Sequence, residues 1–222
     1  TGHTDVGFYF AGATTYTSSK IPYIVFGSDN GNLYLFNANN LSLVSTEHVD
    51  EKIRASICYD NGGMYFSTKS GNAYKFGVNS SGQLSKIWEA TLFLPSNATP
   101  AVSKGVVYVS VGEFTSTIGK LHALDATTGT PFGGAYTTGG PVQSSMLIYE
   151  ADEENTYAYY TVNNATGKGY VLNIDQSQTT ATVGEAGYTL QGFAACNGYV
   201  VYGNDGVPNE GYQYKVCLYV AH

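Results

Sequence analysis

The sequence predicts an all-β chain built from repeated four-stranded sheets, and three observations carry that expectation. The 222 residues include 27 Gly and 20 Tyr but only 12% charged residues, a balance that favours short strands and tight turns over helices. A turn–strand–turn segment recurs along the chain. No stretch of useful length places apolar residues at helical spacing.

The recurring segment reads Gly31-Asn32-Leu33-Tyr34-Leu35-Phe36-Asn37, then Gly71-Asn72-Ala73-Tyr74-Lys75-Phe76, then Gly119-Lys120-Leu121-His122-Ala123-Leu124-Asp125, then Gly167-Lys168-Gly169-Tyr170-Val171-Leu172-Asn173. A looser copy begins at Gly211, and successive copies lie 40, 48, 48 and 44 residues apart. Each follows a β-rich run, such as Ile24-Val25-Phe26 or Val107-Tyr108-Val109. The turns between them, such as Ser28-Asp29-Asn30-Gly31, carry the Gly and Asn that tight hairpins need. A short strand rich in small residues precedes each hairpin, at 13–18, 54–59, 99–103, 143–148 and 191–196. A weaker strand follows the first four, at 43–48, 84–92, 131–137 and 181–185.

Four strands per repeat and a period of 40–48 residues describe the blades of a β-propeller. Residues 1–222 then form a single propeller domain, with repeats at about 11–50, 51–94, 95–139, 140–186 and 187–222. The fifth repeat stops after its third strand. Val6-Gly7-Phe8-Tyr9-Phe10 is a strand-like run that would complete it, which removes an open edge and favours a closed five-bladed ring. Five blades of a seven- or eight-bladed ring are the alternative.

In the third repeat, Gly105-Val106-Val107-Tyr108-Val109-Ser110 and Gly119-Lys120-Leu121-His122-Ala123-Leu124-Asp125-Ala126-Thr127-Thr128-Gly129 closely resemble the repeat of pyrroloquinoline-quinone (PQQ)-type propellers. That family includes quinoprotein dehydrogenases and the propeller lipoprotein of outer-membrane assembly. The resemblance implies the propeller fold and says little of function. It also implies a Trp after the Asp-x-x-x-Gly turn that docks one blade on the next. Trp88 holds that place in the second repeat, while Ser45, Gly133 and Val183 stand near it elsewhere. Quinoprotein dehydrogenases carry an adjacent cysteine pair and a calcium site with a catalytic Asp. Here Cys58, Cys196 and Cys217 are far apart and no Asp matches, so neither PQQ nor calcium is carried over as a cofactor.

The net charge of −7 argues against nucleic acid as a partner, and no apolar run approaches the ~20 residues of a transmembrane helix. The three cysteines read as buried free thiols, since strand spacing separates Cys196 from Cys217. No Gly-x-Ser-x-Gly elbow or His-centred triad can be assembled. The acidic run Glu150, Asp152, Glu153 and Glu154 reads as a solvated hairpin tip, and it lacks the ligand spacing of a calcium loop. Stacking the innermost strands aligns Arg54, Thr99, Gln143 and Gln191 at one mouth of an axial channel, where a small anionic or polyhydroxylated ligand would find a cation, two amides and a hydroxyl.

The expectation from sequence is therefore a non-catalytic, secreted or cell-surface bacterial module for ligand binding, adhesion or protein assembly, with a glycan or a protein as partner. A lectin-like sugar-binding propeller and a quinone-dependent dehydrogenase fragment are the alternatives.

Overall fold

The computed structural model describes residues 11–49, 51–113, 116–183, 187–189, 192–196, 199–204 and 215–220, and strands are the only regular structure among them. The first sheet is β1 (Thr14–Ser18), β2 (Ile21–Gly27), β3 (Asn32–Asn37) and β4 (Leu43–His48). The second is β5 (Cys58–Asp60), β6 (Gly63–Ser67), β7 (Asn72–Val78) and β8 (Leu84–Thr91). The third is β9 (Ala101–Ser103), β10 (Val106–Val111), β11 (Lys120–Asp125) and β12 (Tyr136–Thr137). The fourth is β13 (Leu147–Glu150), β14 (Thr156–Thr161), β15 (Gly169–Asn173) and β16 (Gln178–Val183). The fifth is β17 (Ala194–Cys196), β18 (Tyr199–Asn204) and β19 (Lys215–Val220). Within every sheet the strands neighbour each other in chain order, so each sheet is an up-and-down meander. The run 6–10 that was expected to complete the fifth sheet lies outside the described residues.

The chain divides into two compact units, residues 1–109 with 123–133 and residues 110–122 with 134–222. In the first unit, the first two sheets share a core of Val25, Leu33, Leu35, Ile53, Ile57, Met64, Phe66, Tyr74 and Phe76. Tyr16 stacks on Tyr23 at 5.3 Å and on Tyr59 at 4.9 Å, bridging the two sheets with aromatic faces. Gly27 is required by this packing: a Cβ there would lie 2.2 Å from Ile53 Cγ2.

In the first unit, successive sheets meet by different chemistry. Between the first and second, Leu84 N donates to Ser45 Oγ at 3.2 Å. From the second to the turn after β11, Trp88 packs flat on Gly129, where an added Cβ would stand 2.8 Å from Cδ2 and Cε3. The Ala126 carbonyl in that turn accepts from Trp88 Nε1 (3.2 Å), Lys75 Nζ (2.7 Å) and Tyr65 OH (3.4 Å). In the second unit, Tyr159 meets Phe193, ahead of β17, edge-on at 5.8 Å, while Tyr160 stacks on Tyr170 at 5.5 Å within the fourth sheet.

The innermost strands begin later than the sequence suggested: β5 at Cys58 rather than 54, β9 at Ala101 rather than 99, β13 at Leu147 rather than 143 and β17 at Ala194 rather than 191. The residues ahead of them bond elsewhere. Ile53 N donates to Ser28 O (3.0 Å) and Ser96 N to Thr68 O (3.1 Å), each reaching back to the preceding hairpin. Small residues that looked like strand are lead-in segments tied to a neighbouring sheet. The outer strand expected over 131–137 likewise reduces to β12, with a single bridge from Leu124 to Pro131.

Candidate functional site

Arg54, Thr99 and Gln143 all lie in these lead-in segments, and Gln191 lies outside the described residues. Arg54 forms a two-pronged ion pair with Asp29 in the β2–β3 turn: Nη2 to Oδ2 at 2.8 Å and Nε to Oδ1 at 3.1 Å. The two side chains are 24% and 14% exposed. Thr99 Oγ1 accepts from Ser56 N at 3.0 Å, and Ser56 Oγ accepts from Gly12 N at 2.8 Å, so hydroxyls link three successive inner segments. Gln143 Oε1 accepts from Asn163 Nδ2 at 2.6 Å, while Asn163 Oδ1 takes Thr189 N at 2.9 Å. Arg54 and Thr99 belong to the first unit and Gln143 to the second.

The lead-in bonds make Ile53 and Ser96 equivalent, so the residue matching Arg54 in the third repeat is Asn97. Sequence alignment placed Thr99 there. The slip is two residues, and only the lead-in backbone bonds fix the register. Asn97 Oδ1 is buried without a hydrogen-bond partner.

A separate polar cleft opens in the first unit between β4 and the β7–β8 pair. It is an open cleft of about 370 Å³ lined by Glu47, His48, Val49, Tyr74, Phe76, Lys86 and Glu89. Three of its exposed side chains, His48, Lys86 and Glu89, are held in place. Glu89 takes the Tyr74 hydroxyl at 3.1 Å on one oxygen and Lys86 Nζ at 2.8 Å on the other. His48 Nδ1 lies 2.9 Å from Asn32 Oδ1, and Asn32 Nδ2 lies 3.1 Å from the Tyr34 hydroxyl. Nothing in the repeat signalled this cluster. Tyr34 is paired across its sheet with Thr46 where Tyr74 is paired with Glu89, and Asn72 is paired with Thr91 where Asn32 is paired with His48.

A third feature is apolar. Phe93 follows β8, is 84% exposed, and has a φ of 66°, a left-handed conformation that bulky residues avoid. Its backbone is fixed by the flanking bond from Leu92 N to Gly71 O at 2.7 Å. The matching bond after the next hairpin, Thr138 N to Gly119 O at 3.0 Å, is followed by Gly139 with a φ of 78°. The third repeat thus meets the same backbone demand with glycine and the second with an exposed phenylalanine. Leu94 and Pro95 beside it are half-buried.

The remaining candidates are structural. Asp152 Oδ1 accepts from Glu154 N and Asn155 Nδ2, both at 2.9 Å, closing the acidic hairpin tip on itself. No group of three or more His, Cys, Asp or Glu suited to a metal occurs among the described residues. Burial, reinforced by Asp60, raises the Cys58 thiol to about 11, which makes it a poor nucleophile. His122 is held below the usual histidine range, first by burial and then by Lys120, and its Nε2 is buried without a partner. No helix among the described residues is long and apolar enough to cross a membrane.

No protein-family profile matches the sequence, and no curated protein does. Solved structures do match in fold. BamB from Moraxella catarrhalis superposes with a TM-score of 0.62 at 15% identity, over 87% of this chain and 58% of that one. The computationally designed Ika8 protein gives 0.64 at 15% identity, over 87% and 55%. The quinohemoprotein alcohol dehydrogenase of Comamonas testosteroni gives 0.64 at 12% identity, over 96% and 41%. The chain thus spans only about two fifths to three fifths of the structures it resembles. BamB and the dehydrogenase are both PQQ-repeat propellers, in agreement with the resemblance read from the third repeat. At this identity the likeness shows the fold alone: four-stranded antiparallel sheets of the β-propeller kind.

Proposed function

We propose that this chain is a non-catalytic propeller module of a secreted or cell-surface bacterial protein, and that it holds a protein partner through the loops leaving its outer strands. One observation carries the reading. Phe93 is 84% exposed on a backbone with a φ of 66°, an arrangement that costs the fold roughly 1–2 kcal/mol and gives it little burial in return. A large aromatic on a rigid loop is what a partner's apolar pocket takes as an anchor. The PQQ-type resemblance points the same way, since that family includes a propeller of outer-membrane assembly. The axial residues support a structural role, with Arg54, Thr99 and Gln143 engaged by Asp29, Ser56 and Asn163.

The test substitutes Phe93→Gly. Relief of the left-handed strain, less the added chain entropy of glycine, should stabilise the fold by about 0.5–1 kcal/mol. A photo-crosslinking residue at position 93, expressed in the native cell, should capture one protein. Purified binding to that protein should then fall at least ~10-fold in Phe93→Gly. A drop in melting temperature, or unchanged binding to the captured protein, would refute the reading.

A further inference from the structure

We infer that the cleft between β4 and the β7–β8 pair is a binding site for a neutral polyhydroxylated ligand, a mono- or disaccharide. It lies apart from the Phe93 loop and does not depend on that loop's role. The cleft's volume of about 370 Å³ falls within the roughly 300–1,000 Å³ of small-molecule sites.

The class of ligand follows from how each polar group is committed. Asn32 Nδ2 points to the Tyr34 hydroxyl, which turns its Oδ1 toward His48. His48 therefore donates from Nδ1, and Nε2 is the ring nitrogen left for a ligand. Glu89 has both oxygens occupied, by Tyr74 and by Lys86, and so serves as a support that positions the Lys86 ammonium. Glu47, exposed at the rim, adds a carboxylate acceptor.

The rim thus offers the Glu47 carboxylate and the polar edge of His48, against one held cation whose charge is matched by Glu89. An anionic ligand would meet Glu47 and Glu89. A cationic one would meet Lys86. Hydroxyl groups donate and accept at once, so a polyol satisfies all three groups without a charge conflict. Val49 and Phe76, both buried, back the cleft from the core.

Ordering of exposed side chains by a Tyr–Asn–His relay and a Tyr–Glu–Lys relay is the preorganisation a weak polar ligand requires. The repeat itself demands neither relay, since Thr91 and Thr46 stand at the corresponding register positions.

The experiment titrates a panel of neutral mono- and disaccharides, one at a time, against the intact chain by calorimetry and ligand-observed NMR. An acidic sugar and spermidine are run as comparison arms. At least one neutral saccharide should bind in the millimolar range or tighter. His48→Ala and Glu47→Ala should each weaken that binding at least ~10-fold, while the melting temperature stays put because both side chains are exposed. Phe93→Gly should bind the saccharide as the parent does, which separates failure here from failure of the partner-binding loop. Lack of binding by any neutral saccharide, binding indifferent to His48→Ala and Glu47→Ala, or preferential uptake of the acidic sugar or of spermidine would overturn the assignment.

Discussion

Trp88 is the sole tryptophan of the chain, and its indole joins the second sheet to the turn after β11. Replacing it with alanine removes a ring that is 93% buried by its 7% exposure. Some 200 Å² of apolar surface at roughly 25 cal/mol/Å² sets a ceiling of about 5 kcal/mol. A compact denatured state lowers the expected loss to about 3–4 kcal/mol. Trp88→Phe should cost far less, about 1 kcal/mol, because the Ala126 carbonyl keeps Lys75 Nζ and Tyr65 OH when the indole N–H is gone. Gly129→Ala attacks the same joint from the other side, forcing a Cβ to 2.8 Å from the indole at a φ of 75°. It should cost about 2–3 kcal/mol. Guanidinium unfolding followed by far-UV circular dichroism measures all three. In the parent, Trp88 fluorescence reports the joint directly. A loss under about 1.5 kcal/mol for Trp88→Ala, or a neutral Gly129→Ala, would refute the docking argument.

Two further outcomes follow from the structure. Arg54→Ala strands a carboxylate that is only 14% exposed, and should cost about 2 kcal/mol, between the values for surface and fully buried pairs. Asp29→Asn in the same background should recover part of that loss, and a melting temperature unmoved by Arg54→Ala would instead return Arg54 to the ligand-binding role expected from sequence. Because burial holds His122 below its ordinary 6.5, the unfolded chain binds the proton more readily. Its stabilising share is complete above about pH 6.5 and drains away as pH falls toward the lowered value. Thermal melts from pH 7.5 to 5 should show a shallower decline in His122→Tyr than in the parent, and equal slopes would contradict the assignment.

The fold was legible in sequence because hairpins write themselves locally. β4 occupies the 43–48 expected for it, and the strands flanking Gly31, Gly71, Gly119 and Gly167 fall where the repeat placed them. The lead-in segments were misread because small residues such as Ala55 and Ser56 suit a tight inner strand and a tight crossing equally well, and only the partner of each amide separates the two. Two of the axial candidates, Arg54 and Thr99, were identifiable as polar positions, yet their partners Asp29 and Ser56 are tertiary facts with no periodic mark. The His48–Glu89 cleft was invisible for the opposite reason. It arises where one repeat departs from its neighbour, and a reading built on similarity passes over departures. Phe93 escaped notice because its oddity is a dihedral angle.

The differing joints between sheets bear on how a repetitive chain avoids assembling itself out of order. Similar neighbours invite exchange and mispairing during folding. Trp88 seats only against a turn with no side chain at its left-handed position, which Gly129 provides. The first sheet's turn has Leu41 there, at a φ of 58°, while the second's has Gly82 near the Tyr23 hydroxyl. An indole arriving at the first turn would collide with Leu41, and the Ser45 hydroxyl cannot reach across the width that an indole spans. In the first unit these two joints therefore accept different partners, set by which side chains are missing as much as by which are present.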